Sequence, residues 1–196
     1  MTLIQAPIRL EIERMIVTND SELVAAINAR ISDGARLIAI DGVGNAGKSR
    51  ARAQILQGIG GTTGIELDDF LDRGQAQFVD ALRFAELKEA VRPAKVLIMS
   101  GVCMRDVLLR LDIEADVHVY VKRMLQWGWG DQDVVENGGH IEEIADVFGI
   151  DRTYAYLDIE VRRYHQYRRP QDSADIVYER MDGSTGSDGQ KLAAAK

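Results

Sequence analysis

Apolar residues along the chain recur with two periods. Between residues 7 and 17, Ile8, Leu10 and Ile12 alternate with Arg9, Glu11 and Glu13, the two-residue period of a half-exposed strand. Helical spacing follows: after the cap-like run Asp20-Ser21-Glu22, residues Leu23, Val24, Ile27 and Ile31 define one face, and Asp33-Gly34 ends it. Residues 36–41 read as a buried strand and residues 47–57 as a helix, broken by Gly58-Ile59-Gly60-Gly61. A strand over 62–66 leads into Leu67-Asp68-Asp69-Phe70, and Phe78, Leu82, Ala85, Leu87 and Val91 predict a helix over 76–91 that Pro93 closes. Two further apolar runs, 95–99 and 117–121, flank a predicted helix over 105–111; a helix over 153–168 and a strand over 174–178 complete the series. Strands alternating with helices imply an α/β domain with a mainly parallel sheet and helices on both faces.

Composition narrows this picture. A chain of 196 residues that is 46% hydrophobic is in the range of a single domain with an ample core, taken here as residues 1–181. Residues 1–19 form an N-terminal strand extension, and 182–196, rich in Gly and Ser near its start, reads as a flexible tail. No internal repeat is visible. A net charge of -7 with pI near 5.0 argues against a nucleic-acid surface, so an anionic ligand needs a local positive pocket. The single cysteine, Cys103, forms no internal disulfide, and nothing in the sequence has the ligand spacing of a zinc site. With no apolar run of membrane-spanning length and no leader-like start, the expectation is a soluble cytoplasmic protein without membrane partners; a homo-oligomer stays open. His118, His140 and His165 are far apart in sequence and read as surface or packing residues.

The chemistry is concentrated in residues 42–49, Gly42-Val43-Gly44-Asn45-Ala46-Gly47-Lys48-Ser49, a complete phosphate-binding loop between a predicted strand and a predicted helix. Gly42, Gly44 and Gly47 let the backbone wrap a phosphate with its amides inward, Val43, Asn45 and Ala46 supply further backbone, and Lys48 reaches the outer phosphates. Ser49 holds magnesium, and the first helical turn, including Arg50, adds the positive helix end. The pattern predicts the P-loop NTPase fold with ATP and Mg2+ as cofactors.

Several segments in order resemble the uridine kinase and phosphoribulokinase-like group of P-loop kinases. They are Ile40-Asp41-Gly42 with the loop, Leu67-Asp68-Asp69-Phe70, Ser100-Gly101-Val102, Tyr120-Val121-Lys122-Arg123, and Arg163-Tyr164 through Tyr167 to Pro170, followed by Ala174-Asp175. The resemblance spans about residues 36–180. It implies that Asp68 is the catalytic base toward an acceptor hydroxyl and a metal-binding group beside Ser49, with Lys48 catalytic. Asp69 either shares the metal or caps the turn; an Asx turn is the structural alternative for the pair. The resemblance also makes residues 122–140 a lid-like segment.

Two departures from that family's pattern stand out. Its third core strand ends in a glutamate that assists magnesium, where this chain has Ser100; a hydroxyl can hold a metal-bound water without the charge, which shifts the burden to Ser49, Asp68 and Asp41. Its lid carries several arginines, where this chain has Lys122 and Arg123 and then Trp127-Gly128-Trp129-Gly130. Arg162, Arg163, Arg168 and Arg169 either compensate or form a solvated face, and the tryptophans either stack on a base or anchor a loop. Two functions follow: an ATP-dependent kinase acting on a small-molecule acceptor such as a nucleoside, sugar or related alcohol, or a catalytically silent nucleotide-binding module serving as sensor or partner subunit.

Overall fold

The computed structural model describes residues 14–72, 77–92, 94–136 and 152–182. In chain order the elements are β1 (Met15–Val17), α1 (Asp20–Ser32), β2 (Leu37–Asp41), α2 (Lys48–Gly58), β3 (Thr63–Glu66), a 3-10 turn (Leu67–Phe70), α3 (Phe84–Val91), β4 (Leu97–Ser100), α4 (Met104–Leu111), β5 (Val117–Leu125), β6 (Gly128–Trp129), α5 (Gln132–Glu136), α6 (Arg152–Arg168) and β7 (Ile176–Met181). The seven-stranded sheet has the order β1-β7-β5-β2-β4-β3 with all neighbours parallel, and β6 pairs antiparallel with β5. This is the expected α/β arrangement.

Both faces of the sheet are covered, which is why its central strands are apolar throughout rather than alternating. On one face Ile38, Ile40, Ile98, Val119 and Ile176 pack with Leu23 and Ile27 of α1 and Ala51 and Ile55 of α2. On the other, Ala39, Met99 and Ile65 meet Leu87 of α3 and Met104, Val107, Leu108 and Leu111 of α4. Full burial of each large aliphatic side chain contributes about 1.5–3 kcal/mol, so these two layers carry most of the driving force. β2 lies between β4 and β5, and its helix α2 covers the face opposite to α4, the helix that follows β4. Adjacent strands whose connections leave on opposite faces open a crevice beyond their carboxyl ends, and the loop 42–47 lies there.

Two segments differ from the sequence reading. The predicted helix over 76–91 is helical only from Phe84, because Leu82 bridges back to Leu71, Arg83 N–H donates to Phe70 O and Asp72 N–H to Ala81 O. Those backbone groups are engaged across the turn and unavailable to a helix. Phe78 and Leu82 are buried as read, but from a turn whose Phe78 and Val79 N–H groups donate to the Glu160 carboxylate. β5 runs four residues further than predicted, to Leu125, and turns through β6. The alternating stretch Ile8 to Glu13 and residues 137–140 of the lid-like segment fall outside the described residues.

Helix α1 is capped one residue earlier than the pattern suggested. Asn19 Oδ1 accepts from Glu22 N–H at 2.9 Å, and the Glu22 carboxylate accepts from Thr18 N–H at 2.8 Å. Together they satisfy two otherwise orphan donors at the helix start. Asn19→Ala is expected to lower unfolding stability by about 1 kcal/mol in urea titration with an unchanged denaturant slope; a change within error would remove Asn19 as the cap.

Candidate functional site

The loop departs from β2 through Gly42, whose φ of 151° and missing side chain fit a spot where a Cβ would stand 2.8 Å from Val121 O. It enters α2 through Gly47, with φ 102°, where a Cβ would lie 2.4 Å from Arg180 Nε. Arg180, on β7, donates from Nε to Ala46 O at 3.0 Å and so props the loop from the sheet side. Asn45 adopts φ 60°, a conformation that Asn tolerates better than most residues.

Asp41, the last residue of β2, is buried, and both of its carboxylate oxygens are engaged. Oδ1 accepts from Gly42 N–H at 2.7 Å and Oδ2 from the Tyr164 hydroxyl of α6. Burial raises its pKa to about 6 against the lowering effects of Tyr164, Gly42 N–H, Lys48 and Arg105. Asp41 is thus a strut under the loop, and it does not line the cavity described next.

Val43, Gly44, Asn45, Gly47, Lys48 and Ser49 line a cavity of about 750 Å³ together with Glu66 and Asp68. Gly42, Ala46 and Arg50 stand outside that lining: Gly42 and Ala46 shape the loop from beneath, and the Arg50 guanidinium turns away to Asp20 at 3.0 Å. Lys48 is buried, and its Nζ donates to Val43 O at 2.6 Å. Desolvation holds its pKa below the ordinary lysine range, opposed by the charges of Asp41, Asp68 and Glu66. An anion in the cavity would favour the charged ammonium in the same way. Asp68 sits in the 3-10 turn after β3, exposed and facing the cavity, while Arg83 fixes the same turn by donating to Asp69 O at 2.9 Å. Asp69 does not line the cavity.

The far wall is built from Leu71, Phe78, Val102, Val134 and Val161, with Asp158, Arg123 and Asp131 among them. Arg123 Nη2 meets Asp131 Oδ1 at 2.6 Å. Lys122 points to the opposite face of β5, where its ammonium lies 4.5 Å over the Trp129 ring and 3.9 Å from Glu179. Trp129 packs edge-on to Tyr120, whereas Trp127 is 75% exposed at the hairpin tip; neither lines the cavity. Of the later arginines, Arg162 faces Asp158 at 3.7 Å, Arg168 bonds Asp106 and Arg169 bonds Asp172.

Glu66, Asp131, Glu160 and Arg180 were not singled out by the motifs, and Tyr164, which stands in the Arg163 to Pro170 motif, was given no role there. Glu66 alone had a sequence signal, since it lies two residues before Asp68 and in phase with Gly64 on a strand that ends at the site. His165 fulfils its packing assignment: fully buried, it stacks edge-on with Tyr120 and Tyr164, its Nδ1 2.7 Å from Val161 O. Cys103 is buried and its thiol is pushed well up by desolvation, so it is inert as a nucleophile. Among the described residues no group of three or more His, Cys, Asp or Glu is placed to hold a metal by itself, and no helix is long and apolar enough to cross a membrane.

No family model and no curated protein matches the chain. Among solved structures, one described as a possible uridine kinase from Bacillus stearothermophilus overlays 81% of this chain and 98% of its own, with TM-score 0.47 and 13% identity.

Burial lowers the His165 pKa from 6.5 to about 4. The unfolded chain therefore takes up a proton that the fold refuses, and stability falls as pH drops from 6.5 towards 4, by on the order of 3 kcal/mol. Asp41 works in the opposite sense over an overlapping window, because its raised pKa makes the folded state the better proton binder between 3.8 and about 6. Comparing the parent with His165→Gln by denaturant unfolding at several pH values isolates the histidine: the parent should lose stability relative to the variant as pH falls from 6.5 to 4. A constant gap would show that His165 titrates normally.

Proposed function

We propose that this protein is an ATP-dependent phosphotransferase that moves the γ-phosphate of ATP to an alcohol hydroxyl of a small molecule. The observation that carries the reading is the convergence of Lys48, Ser49 and Asp68 on one cavity with the phosphate loop. Phosphoryl transfer asks a protein chiefly to position two oxygens in line and to neutralise charge, and these three side chains divide that work.

ATP phosphates would lie on the inward amides of residues 43–48 and the start of α2, with Lys48 on the outer phosphates. The donor set fits magnesium, a hard cation that takes oxygen ligands and keeps several waters: the Ser49 hydroxyl and the Asp68 carboxylate both face the cavity. When bound, the ion would supply positive charge that offsets that of the phosphates. Asp68 orients the acceptor hydroxyl and accepts its proton as the new O–P bond forms and the bond from the γ-phosphorus to the bridging oxygen of ADP breaks. Being exposed, Asp68 then returns the proton to solvent. Leu71, Phe78, Val134 and Val161 supply an apolar wall that limits water near the transferring group.

A second reading, a nucleotide-binding module without transfer activity, is favoured by one observation. Arg123 is an arginine at the cavity, and Asp131 neutralises it at 2.6 Å. A phosphate-clamping arginine is worth about 10³ to 10⁵ in rate. Release of Arg123 from Asp131 would restore one to the phosphotransferase.

The readings separate in a transfer assay with labelled ATP over nucleosides, sugars and vitamin-like alcohols. Asp68→Asn is expected to leave ATP affinity within about threefold and to lower transfer about 10² to 10⁴-fold, the range of a positioned general base. Lys48→Ala should abolish both binding and transfer. Equal transfer by the parent and Asp68→Asn would remove Asp68 from the chemistry; ATP binding with no transfer to any alcohol would favour the binding module.

A further inference from the structure

Resting on the phosphotransferase reading, we infer that Glu66 supplies the second carboxylate of the magnesium site, reaching it from the neighbouring strand, with Ser100 as its partner and Arg52 as its positioning residue. In P-loop proteins generally, the ion sits between the Ser or Thr of the loop and a carboxylate at the end of a nearby strand. Here β4, the parallel neighbour of β2, ends in the neutral Ser100.

Two independent features point to the same spot. Ser100 is fully buried, and its Oγ has no hydrogen-bond partner among the described residues. Such an orphan is a place where a bound water or ion can complete the hydrogen bonding. In the parallel register Ser100 lies beside Ile40 on one side and Glu66 on the other, so all three side chains leave the same face of the sheet. That face is covered by α2, where Arg52 Nη2 meets Glu66 Oε2 at 3.0 Å. Met99 and Ile65, one residue back, leave the opposite face into the α3 and α4 layer.

Glu66 also lines the cavity with Lys48, Ser49 and Asp68, its side chain 12% exposed, and its charge acts on the Lys48 ammonium. A carboxylate offers about four lone-pair directions, so one ion pair leaves it able to accept further hydrogen bonds. Magnesium keeps most of its water in nucleotide sites and is gripped through one or two carboxylates and the phosphates. Glu66 and Ser100, adjacent across two strands, would accept and share hydrogen bonds from that water. Arg52 holds the carboxylate at the correct height.

The test uses the full chain and Mn2+ as a spectroscopic substitute, titrated by electron paramagnetic resonance into protein saturated with a non-hydrolysable ATP analogue. Nucleotide affinity in EDTA is measured in parallel. Glu66→Gln should weaken Mn2+ about 10 to 100-fold, the usual effect of losing an outer-sphere partner, with nucleotide affinity in EDTA not lowered. Arg52→Gln keeps the carboxylate and should lose distinctly less, and adding Ser100→Asp to Glu66→Gln should recover Mn2+ binding. Parent-like Mn2+ affinity in Glu66→Gln would overturn the inference alone, as would an equal loss in Arg52→Gln, which would mark a purely structural ion pair. If Glu66→Gln does not fold, Ser100→Asp by itself decides: tighter Mn2+ supports the shared site, and unchanged affinity overturns it. A parent that binds no nucleotide under any condition would overturn both this inference and the phosphotransferase reading.

Discussion

Because side chains on a strand alternate between two faces, the hydrogen-bonded register of the central strands sorts every polar group at the carboxyl end of the sheet. Asp41 pairs in register with Tyr120 and leaves the sheet on the α6 side, where Tyr164 donates to it. Ser100, Glu66, Arg123 and Arg180 leave on the other side, towards α2 and the loop. A slip of one residue in β2 would exchange these sets, placing Ile40 under α6 and the Asp41 carboxylate in the apolar layer against Ala51 and Ile55. The hydrophobic burial of Ile38 and Ile40 on one face and Ala39 on the other fixes the register against such a slip.

Once the strand phase is fixed, the loop is held by three side-chain hydrogen bonds of different origin. Gly42 N–H is tied to Asp41 within β2, Ala46 O is tied to Arg180 of β7, and Val43 O is tied to Lys48. The first two come from the sheet and set the loop's frame. The third uses the ammonium that the proposed function assigns to an outer phosphate, so in that reading the same donor would serve the protein and the ligand. Buried polar bonds of this kind are strong because the interior has little else to screen them, and the pKa of Lys48 and that of Asp41 carry the cost of that burial.

The site is acidic around a positive loop. Glu66 and Asp68 face the cavity beside Lys48, and Asp131 offsets Arg123. In a chain of net charge -7, the amides and Lys48 must supply nearly all the local attraction for phosphate. In the proposed phosphotransferase, a divalent cation accompanying the nucleotide would resolve that balance, since it would bring charge of the right sign to the carboxylates as well as to the phosphates.

Much of this was legible in the order of residues. The strand, glycine-rich loop and helix from 36 to 58 follow from local geometry, and the apolar runs at 95–99 and 117–121 read as buried strands and fall on Leu97–Ser100 and Val117–Leu125. The turn Leu67–Phe70 brought Asp68 to the cavity as its place after a strand end suggested. What local pattern could not settle were contacts between distant segments. Leu82 has helical spacing with its neighbours, yet bridges Leu71 because Glu160, far along the chain, captures the N–H groups of Phe78 and Val79. The Trp127 to Gly130 segment reads as a lid or an anchor with equal ease, and only the pairing of β6 with β5 sets Trp129 against Tyr120. The sequence by itself determined the glycine-rich loop and the alternation of strand and helix, because both depend on residues near one another in the chain. Strand order, the face on which Asp41, Ser100 and Glu66 emerge, and the support of the loop by Arg180 were decided only by the tertiary structure, because register and burial depend on strands that meet across long stretches of chain.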